Sequence, residues 1–148
     1  MKLLTDDLRQ RLLANGTNDR EVDHVPIVKF FDPCGAATWI ITEMMPPEEG
    51  MAEPDILFGL CDLGFGAPEL GYVSLTELES VRGRLGLGIE RDLHFEACFP
   101  LSVYAHAARS RGRVVETDSA LIEAARALSL AIPHPIQQPS SGGDAAED

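Results

Sequence analysis

Basic residues are absent from the middle third of this chain: no lysine, arginine or histidine occurs between Lys29 and Arg82. The segment holds ten acidic residues, and the whole chain has a formal net charge of −12 at pH 7. Unbalanced charge of one sign determines which partners a surface attracts, and says little about fold. Direct nucleic-acid binding is not expected, because it needs clustered basic residues and only Arg109, Arg111 and Arg113 form such a cluster.

Other absences exclude further classes of function. Three cysteines, Cys34, Cys61 and Cys98, lie far apart without a Cys-x-x-Cys pair, which predicts reduced, mostly buried thiols and neither a zinc site nor a disulfide framework. No apolar run approaches the roughly 18 residues that span a bilayer, and the N-terminus becomes acidic where a signal peptide is apolar. The glycines after Asp62 do not match a nucleotide-binding spacing. We therefore expect a cytoplasmic protein that needs no membrane and no cofactor.

The length of 148 residues and the 45% hydrophobic content predict one core. Apolar periodicity, capping residues and turn residues predict short alternating elements in the first part of the chain. In order, these are a helix from Thr5 to Gly16, a hairpin of strands at 27–31 and 38–43, an exposed loop at 46–54, strands at 56–62 and 70–73, and a short helix after a capping box at Ser74.

In the second part, the alternation from Ile89 to Phe99 predicts a long strand. A helix is expected after Pro100, then a short strand at 113–116 and a last helix that ends before Pro133. Residues 133–148 are predicted to form a disordered acidic tail after a globular domain at 1–132. The predicted fold class is α+β, a single domain with a mainly antiparallel sheet packed by three to four helices.

The predicted strand at 89–99 would place three polar side chains on one face, since Glu90, Asp92 and His94 are spaced by two residues. Carboxylates and an imidazole on one face can bind a metal or share acid–base chemistry. The same pattern is also typical of the solvated face of a half-buried strand. If this strand forms, Cys98 lies too far from His94 for a nucleophilic pair.

A second candidate is a carboxylate pair, because Asp62 and Glu69 flank a glycine-rich turn and would perform acid–base chemistry if they met across it. The alternative is that Asp62 accepts hydrogen bonds from amides of the loop while the glycines adopt positive φ angles. Trp39 and Tyr72 lie within apolar strands and are expected to pack in the core or against the sheet.

The acidic segment is also a candidate binding surface. Its simplest interpretation is a solvated face that keeps the protein soluble. The more specific interpretation is an interaction surface that binds a basic protein partner or imitates the charge of DNA. The residues assigned to this surface are Glu43, Glu48, Glu49, Glu53 and Asp55.

Three stretches carry a resemblance to a known family: Gly35 to Trp39, the segment FGLCDLGFGAPELGY at 58–72, and the segment ERDLHF at 90–95. Across residues 26–112 the chain resembles a family of small bacterial proteins of unknown function carried on plasmids and integrative conjugative elements. The resemblance implies a compact cytoplasmic domain on a mobile element. It supplies no catalytic or ligand residues.

Two functional hypotheses follow. The first is a non-enzymatic accessory protein of a mobile genetic element that binds another protein through its acidic side, with counter-defence against restriction or CRISPR systems as one role. The alternative is a metal-dependent or acid–base hydrolase that uses Asp62, Glu69, Glu90, Asp92 and His94.

Overall fold

The computed structural model describes residues 2–18 and 20–130, so the predicted tail at 133–148 lies outside the described residues. Within these ranges the chain forms five strands, four α-helices and a 3₁₀ turn at Arg84–Gly86. The elements are α1 (Asp6–Gly16), β1 (Val28–Phe31), β2 (Thr38–Met44), β3 (Ile56–Asp62), β4 (Glu69–Ser74), α2 (Leu75–Ser80), β5 (Glu90–Arg91), α3 (Leu101–Arg111) and α4 (Asp118–Ala127).

The strands form one antiparallel sheet in the order β4-β3-β2-β1-β5. Because successive residues of a strand point to opposite faces, the sheet supplies two separate cores. One face buries Ile40 and Leu60 under α3 and α4. The other buries Ile41 and Leu57 with residues of α1 and α2. This three-layer, single-domain arrangement confirms the predicted α+β class and the antiparallel sheet.

The helix starts confirm the local signals. The hydroxyl of Thr5 accepts a hydrogen bond from the amide of Leu8 at 3.2 Å, and the hydroxyl of Ser74 accepts one from the amide of Glu77 at 3.1 Å. Both are N-cap contacts that satisfy otherwise free amides of the first turn. At the other end of α3, Gly112 adopts a φ of 75°, the left-handed conformation that commonly ends a helix.

The predicted strand at 89–99 is wrong beyond its first residues, since pairing stops after Glu90–Arg91. The side chain of Asp92 accepts a hydrogen bond from the amide of His94 at 2.9 Å, and the carbonyl of Asp92 accepts one from the amide of Phe95 at 3.4 Å. This turn competes with a strand ladder for the same backbone groups. Phe95 and Phe99 still pack against the core beneath α3, but from irregular backbone.

The predicted strand at 113–116 is also wrong. The amide of Arg113 donates to the carbonyl of Ala108, and the amide of Val114 donates to the carboxylate of Asp62, so neither takes part in a strand ladder.

The expectation of mostly buried cysteines needs correction as well, because Cys98 is exposed while Cys34 and Cys61 are partly buried; all three are free thiols. No helix of the described residues has the length and apolar character required to cross a membrane.

Candidate functional site

The five candidate acid–base residues do not form one cluster. Cys61 pairs with Glu69 across β3 and β4, so these two share a face of the sheet and Asp62 points to the opposite face. The turn after β5 removes the common strand face expected for the other three, Glu90, Asp92 and His94. Among the described residues, no group of three or more histidines, cysteines or carboxylates is arranged to hold a metal ion.

Asp62 is the most buried carboxylate of this set, with 3% of its surface exposed. Its Oδ1 accepts a hydrogen bond from the amide of Gly64 at 2.9 Å, and its Oδ2 accepts one from the amide of Val114 at 3.0 Å. Gly64 and Gly66 adopt φ angles of 89° and 86°, which L side chains rarely adopt. The interpretation that Asp62 binds loop amides is therefore confirmed, and Asp62 also joins the β3–β4 turn to the segment after α3.

A cavity of about 420 Å³ lies beside Asp62 and is lined in part by Lys29, Thr38, Arg113 and Glu116. The Nζ of Lys29 lies 2.5 Å from a carboxylate oxygen of Glu116. It also lies 3.5 Å from a carboxylate oxygen of Asp92, which ties the turn after β5 to β1. The cavity thus combines charges of both signs, and its lysine is already paired. The ion pairs of Lys29 were not predicted from the sequence, although a lysine inside the apolar run of β1 was a signal for them.

The cysteine and histidine candidates have different surroundings from those predicted. The strand expected to keep Cys98 too far from His94 for a nucleophilic pair does not form, so the separation expected from that strand no longer applies. Both side chains are exposed. Burial raises the pKa of the Cys61 thiol to about 11. Because the thiolate is the nucleophilic form, this rise disfavours Cys61 as a nucleophile at neutral pH.

The acidic segment keeps its negative charge in the folded protein. The ion pairs among the described residues join Lys29 to Asp92, Lys29 to Glu116, and Arg111 to Glu123. None of them involves a carboxylate between Phe30 and Val81. These ion pairs therefore leave the carboxylates of the segment without a paired cation, while the charges of His24 and Arg9 act on Glu43 and Asp55, respectively.

The five residues assigned to the acidic surface fall into two groups. Glu48, Glu49 and Glu53 are exposed in the loop between β2 and β3. Glu43 is half-buried in β2, where desolvation raises the pKa of its carboxyl and the charge of His24 opposes this rise. These environments make the three loop glutamates the part of the surface that is free to meet a partner.

Asp55, the fifth member, has a structural role. Its Oδ1 accepts hydrogen bonds from the amide of Thr76 at 2.8 Å and from the hydroxyl of Thr76 at 2.6 Å, and its Oδ2 accepts one from the hydroxyl of Ser74. Desolvation acts to raise the pKa of Asp55, but these hydrogen bonds and the charge of Arg9 together lower it. Asp55 thus holds the junction between β4 and α2.

Apolar side chains are exposed along and around β4, at the edge of the sheet. Tyr72 is 66% exposed, and its ring centroid lies 5.0 Å from that of Phe58. Tyr72 lines two grooves, one of about 330 Å³ toward the β3–β4 turn and one of about 550 Å³ toward the loop between β2 and β3. We call this loop, which carries Glu48, Glu49 and Glu53, the acidic loop; Glu48 and Asp55 also line the second groove. We call the exposed residues of this region the β4 surface; they are Met51, Leu63, Phe65, Leu70 and Tyr72.

The β4 surface was not predicted from the sequence. Trp39 is buried as expected, and Tyr72 packs on the sheet as expected, but most of the Tyr72 side chain faces solvent. One sequence signal was available, because Phe65 lies between the turn glycines Gly64 and Gly66. In the folded protein its side chain is 87% exposed. An aromatic residue at the tip of a tight turn has little backbone near it to cover it.

These features define a single-domain α+β protein in which one antiparallel sheet lies between two helical layers. The chain belongs to the family described as protein of unknown function (DUF2958), whose sequence profile matches residues 3–115. The match includes every strand and the helices α1 to α3. No curated protein and no solved structure matches the chain.

Proposed function

We propose that this protein is a non-enzymatic accessory protein of a mobile genetic element, carried on a plasmid or integrative conjugative element, that binds a basic protein in the cytoplasm. The proposed binding surface is formed by Glu43, Glu48, Glu49, Glu53 and Asp55, of which the exposed Glu48, Glu49 and Glu53 contact the partner. The observation that supports it is the loop between β2 and β3, in which three exposed glutamates have no paired cation among the described residues. Counter-defence, by imitating the charge of DNA toward a restriction or CRISPR protein, is the specific role proposed.

The physical basis is electrostatic steering combined with apolar anchoring. Complementary charge accelerates encounter and selects partners, but exposed ion pairs alone add little affinity. Protein interfaces obtain most of their affinity from a few apolar or aromatic anchors surrounded by polar residues. Met51 and Tyr72 supply such anchors beside Glu48 in the groove at the acidic loop.

Affinity capture from a host that carries the element tests this proposal. The bait is the full chain, compared with a triple variant carrying Glu48→Gln, Glu49→Gln and Glu53→Gln. A matched control has the same change in net charge at exposed sites outside the acidic segment, with Glu21→Gln, Glu96→Gln and Glu123→Gln. Quantitative mass spectrometry at about 0.05 M and about 0.5 M salt measures recovery of each bound protein, because screening weakens exposed charge interactions.

We expect the wild-type bait to recover a basic protein at low salt, with a clear loss for the loop variant and at high salt. The control variant should recover it as the wild type does. Equal recovery by both variants, or recovery that is indifferent to salt, would contradict an electrostatic interface at the loop.

The second candidate, a metal-dependent or acid–base hydrolase, is supported by the cavity beside Asp62, where a buried carboxylate and Lys29 line the same space. The other proposed catalytic residues, Glu69, Glu90, Asp92 and His94, do not line this cavity. Calorimetry of the full chain with Mn²⁺ or Zn²⁺ tests the metal-dependent form of this candidate. Stoichiometric metal binding that Asp62→Asn abolishes would favour the metal-dependent enzyme, whereas no binding would reject it.

A further inference from the structure

The strand β4 has an unprotected edge. It is six residues long and pairs with β3 in one continuous register from Ser74 to Glu69, without a bulge. The strand order leaves its other side without a partner strand in the described part of the chain. Soluble proteins usually protect such edges with lysine, proline, a bulge or a covering segment, because free N–H and C=O groups otherwise pair with another chain. The strand β4 has neither lysine nor proline, and its one charged residue, Glu69, lies at its first position.

The side chains of β4 favour the approach of another strand. Leu70 and Tyr72 project to the same face and are 38% and 66% exposed, so a partner strand gains apolar contacts there. Between them lies Gly71, where an added Cβ would meet no atom within 4 Å. The face of the strand opposite Leu70 and Tyr72 therefore also has open space at Gly71.

The charge around β4 selects the occupant. Glu69 is exposed on the strand itself, the exposed Glu48 lines the groove at Tyr72, and no basic residue occurs between Lys29 and Arg82. A second copy of this chain would bring the same negative charge to the edge and would be repelled. A segment with lysine or arginine would be attracted.

We propose that β4 is a docking strand, to which an extended basic segment of the partner protein adds as a sixth strand of the sheet. This inference rests on the proposed function and specifies its binding mode. In strand addition, main-chain hydrogen bonds supply affinity and alternate side chains supply specificity. The added segment would match the length of β4, with apolar residues beside Leu70 and Tyr72 and basic residues facing Glu69 and the acidic loop.

A synthetic peptide of about eight residues that alternates valine and lysine serves as the probe, titrated into the isotope-labelled full chain and followed by NMR. One control peptide carries N-methyl groups on alternate backbone amides, which removes strand hydrogen bonding while keeping charge. A second control replaces every lysine with glutamate. We expect the first peptide to shift and protect the amides of Glu69–Ser74, and each control to bind at least roughly tenfold more weakly.

Variants of the protein separate strand addition from general charge attraction. Leu70→Lys and Tyr72→Lys each place a lysine on the edge, and Leu93→Lys makes the same change at a site that is 67% exposed and outside the sheet. The two edge variants should lose at least roughly tenfold in affinity for the valine–lysine peptide, and Leu93→Lys should bind as the wild type does.

Several results would overturn the inference. One is that the N-methylated peptide binds as tightly as the unmodified valine–lysine peptide, and another is that both edge variants bind that peptide as the wild type does. A third is that the β4 amides show no shift at millimolar peptide, and a fourth is that sedimentation experiments show a dimer that forms through β4. The proposed function has its own test in the capture experiment with the loop variant. A loop-dependent partner together with a negative peptide result would keep the function and reject strand addition.

Discussion

The two edge strands of the sheet differ in length and in whether they expose apolar side chains. At one edge β5 has only two residues, Glu90 and Arg91, both charged, and the Nη1 of Arg91 donates to the carbonyl of Leu3 at 2.5 Å. The chain thus closes this edge with its own side chains. At the other edge β4 is three times as long and faces solvent with Leu70 and Tyr72. Exposure of apolar side chains at β4 is therefore a property of one edge and not of the sheet as a whole.

The β4 edge is nevertheless held in place at both of its ends. Asp62 binds the turn that leads into β4 and joins it to the amide of Val114. Asp55 binds Ser74 and Thr76 where β4 passes into α2. A strand that is anchored at its ends and open in the middle keeps a fixed shape while its central backbone groups stay accessible.

The largest expected effect is loss of the anchor at the β3–β4 turn. Asp62→Ala should lower the free energy of unfolding by about 3 kcal/mol, because the part-buried hydrogen bonds from the amides of Gly64 and Val114 lose their charged acceptor. Asp62→Asn, which keeps one acceptor oxygen, should lose less. Urea denaturation measures both. A loss below about 1 kcal/mol for the alanine variant would show that this anchor is not needed.

At the closed edge, Arg91→Ala should lower the free energy of unfolding by about 1 to 2 kcal/mol, because the carbonyl of Leu3 loses a charged donor. Arg84→Ala, at an exposed arginine of the 3₁₀ turn, is the matched control and should have little effect. Equal stability of the two variants would indicate that β5 does not depend on Arg91.

The second anchor of β4 should show a pH dependence. The folded-state pKa of Asp55 lies below its usual value of 3.8, so its stabilising contribution is complete above that pH and is lost as the pH falls through the lower, folded-state value. Asp55→Asn should therefore cost about 1 kcal/mol at pH 7, and the difference from wild type should shrink below pH 3.8. A difference that is constant with pH would contradict this role.

Glu43 should behave in the opposite way. Its folded-state pKa lies above the usual 4.5, so folding favours the protonated form and stability decreases as the pH rises from 4.5 through the folded-state value. Glu43→Gln should raise the free energy of unfolding at pH 7 by less than about 1 kcal/mol, since the partly exposed group is screened by solvent. The gain should vanish below pH 4.5. Glu49→Gln in the exposed loop measures the general effect of removing one negative charge.

The smallest expected effect on stability is at the open middle of β4. Tyr72→Lys should change the free energy of unfolding by less than about 1 kcal/mol, because the side chain is mostly exposed and mainly loses its contact with Phe58. Thermal and urea denaturation measure this change. A loss of several kcal/mol would mean that the Tyr72 side chain is part of the core, and the two edges would then not differ as described.

Prediction from sequence succeeded at the helix starts, where a local contact has a recognisable residue pattern. The caps at Thr5 and Ser74 join residues three positions apart, so the sequence alone indicates them. It failed at 89–99, because alternation there suits both a strand and an irregular segment whose phenylalanines face the core. The hydrogen bond from the amide of His94 to Asp92 decided between them, and alternation carries no information about that turn.

The sequence by itself determined the distribution of charge, the helix starts and the antiparallel hairpins, since each follows from residues that are close along the chain. Only the tertiary structure decided that β4 lies at an edge of the sheet and that Tyr72 is exposed. It also decided that the amide of Val114 donates a hydrogen bond to Asp62, which lies 52 residues earlier in the chain. The physical reason is that strand order and burial depend on contacts between distant segments, and a residue's own neighbours in the chain do not specify them.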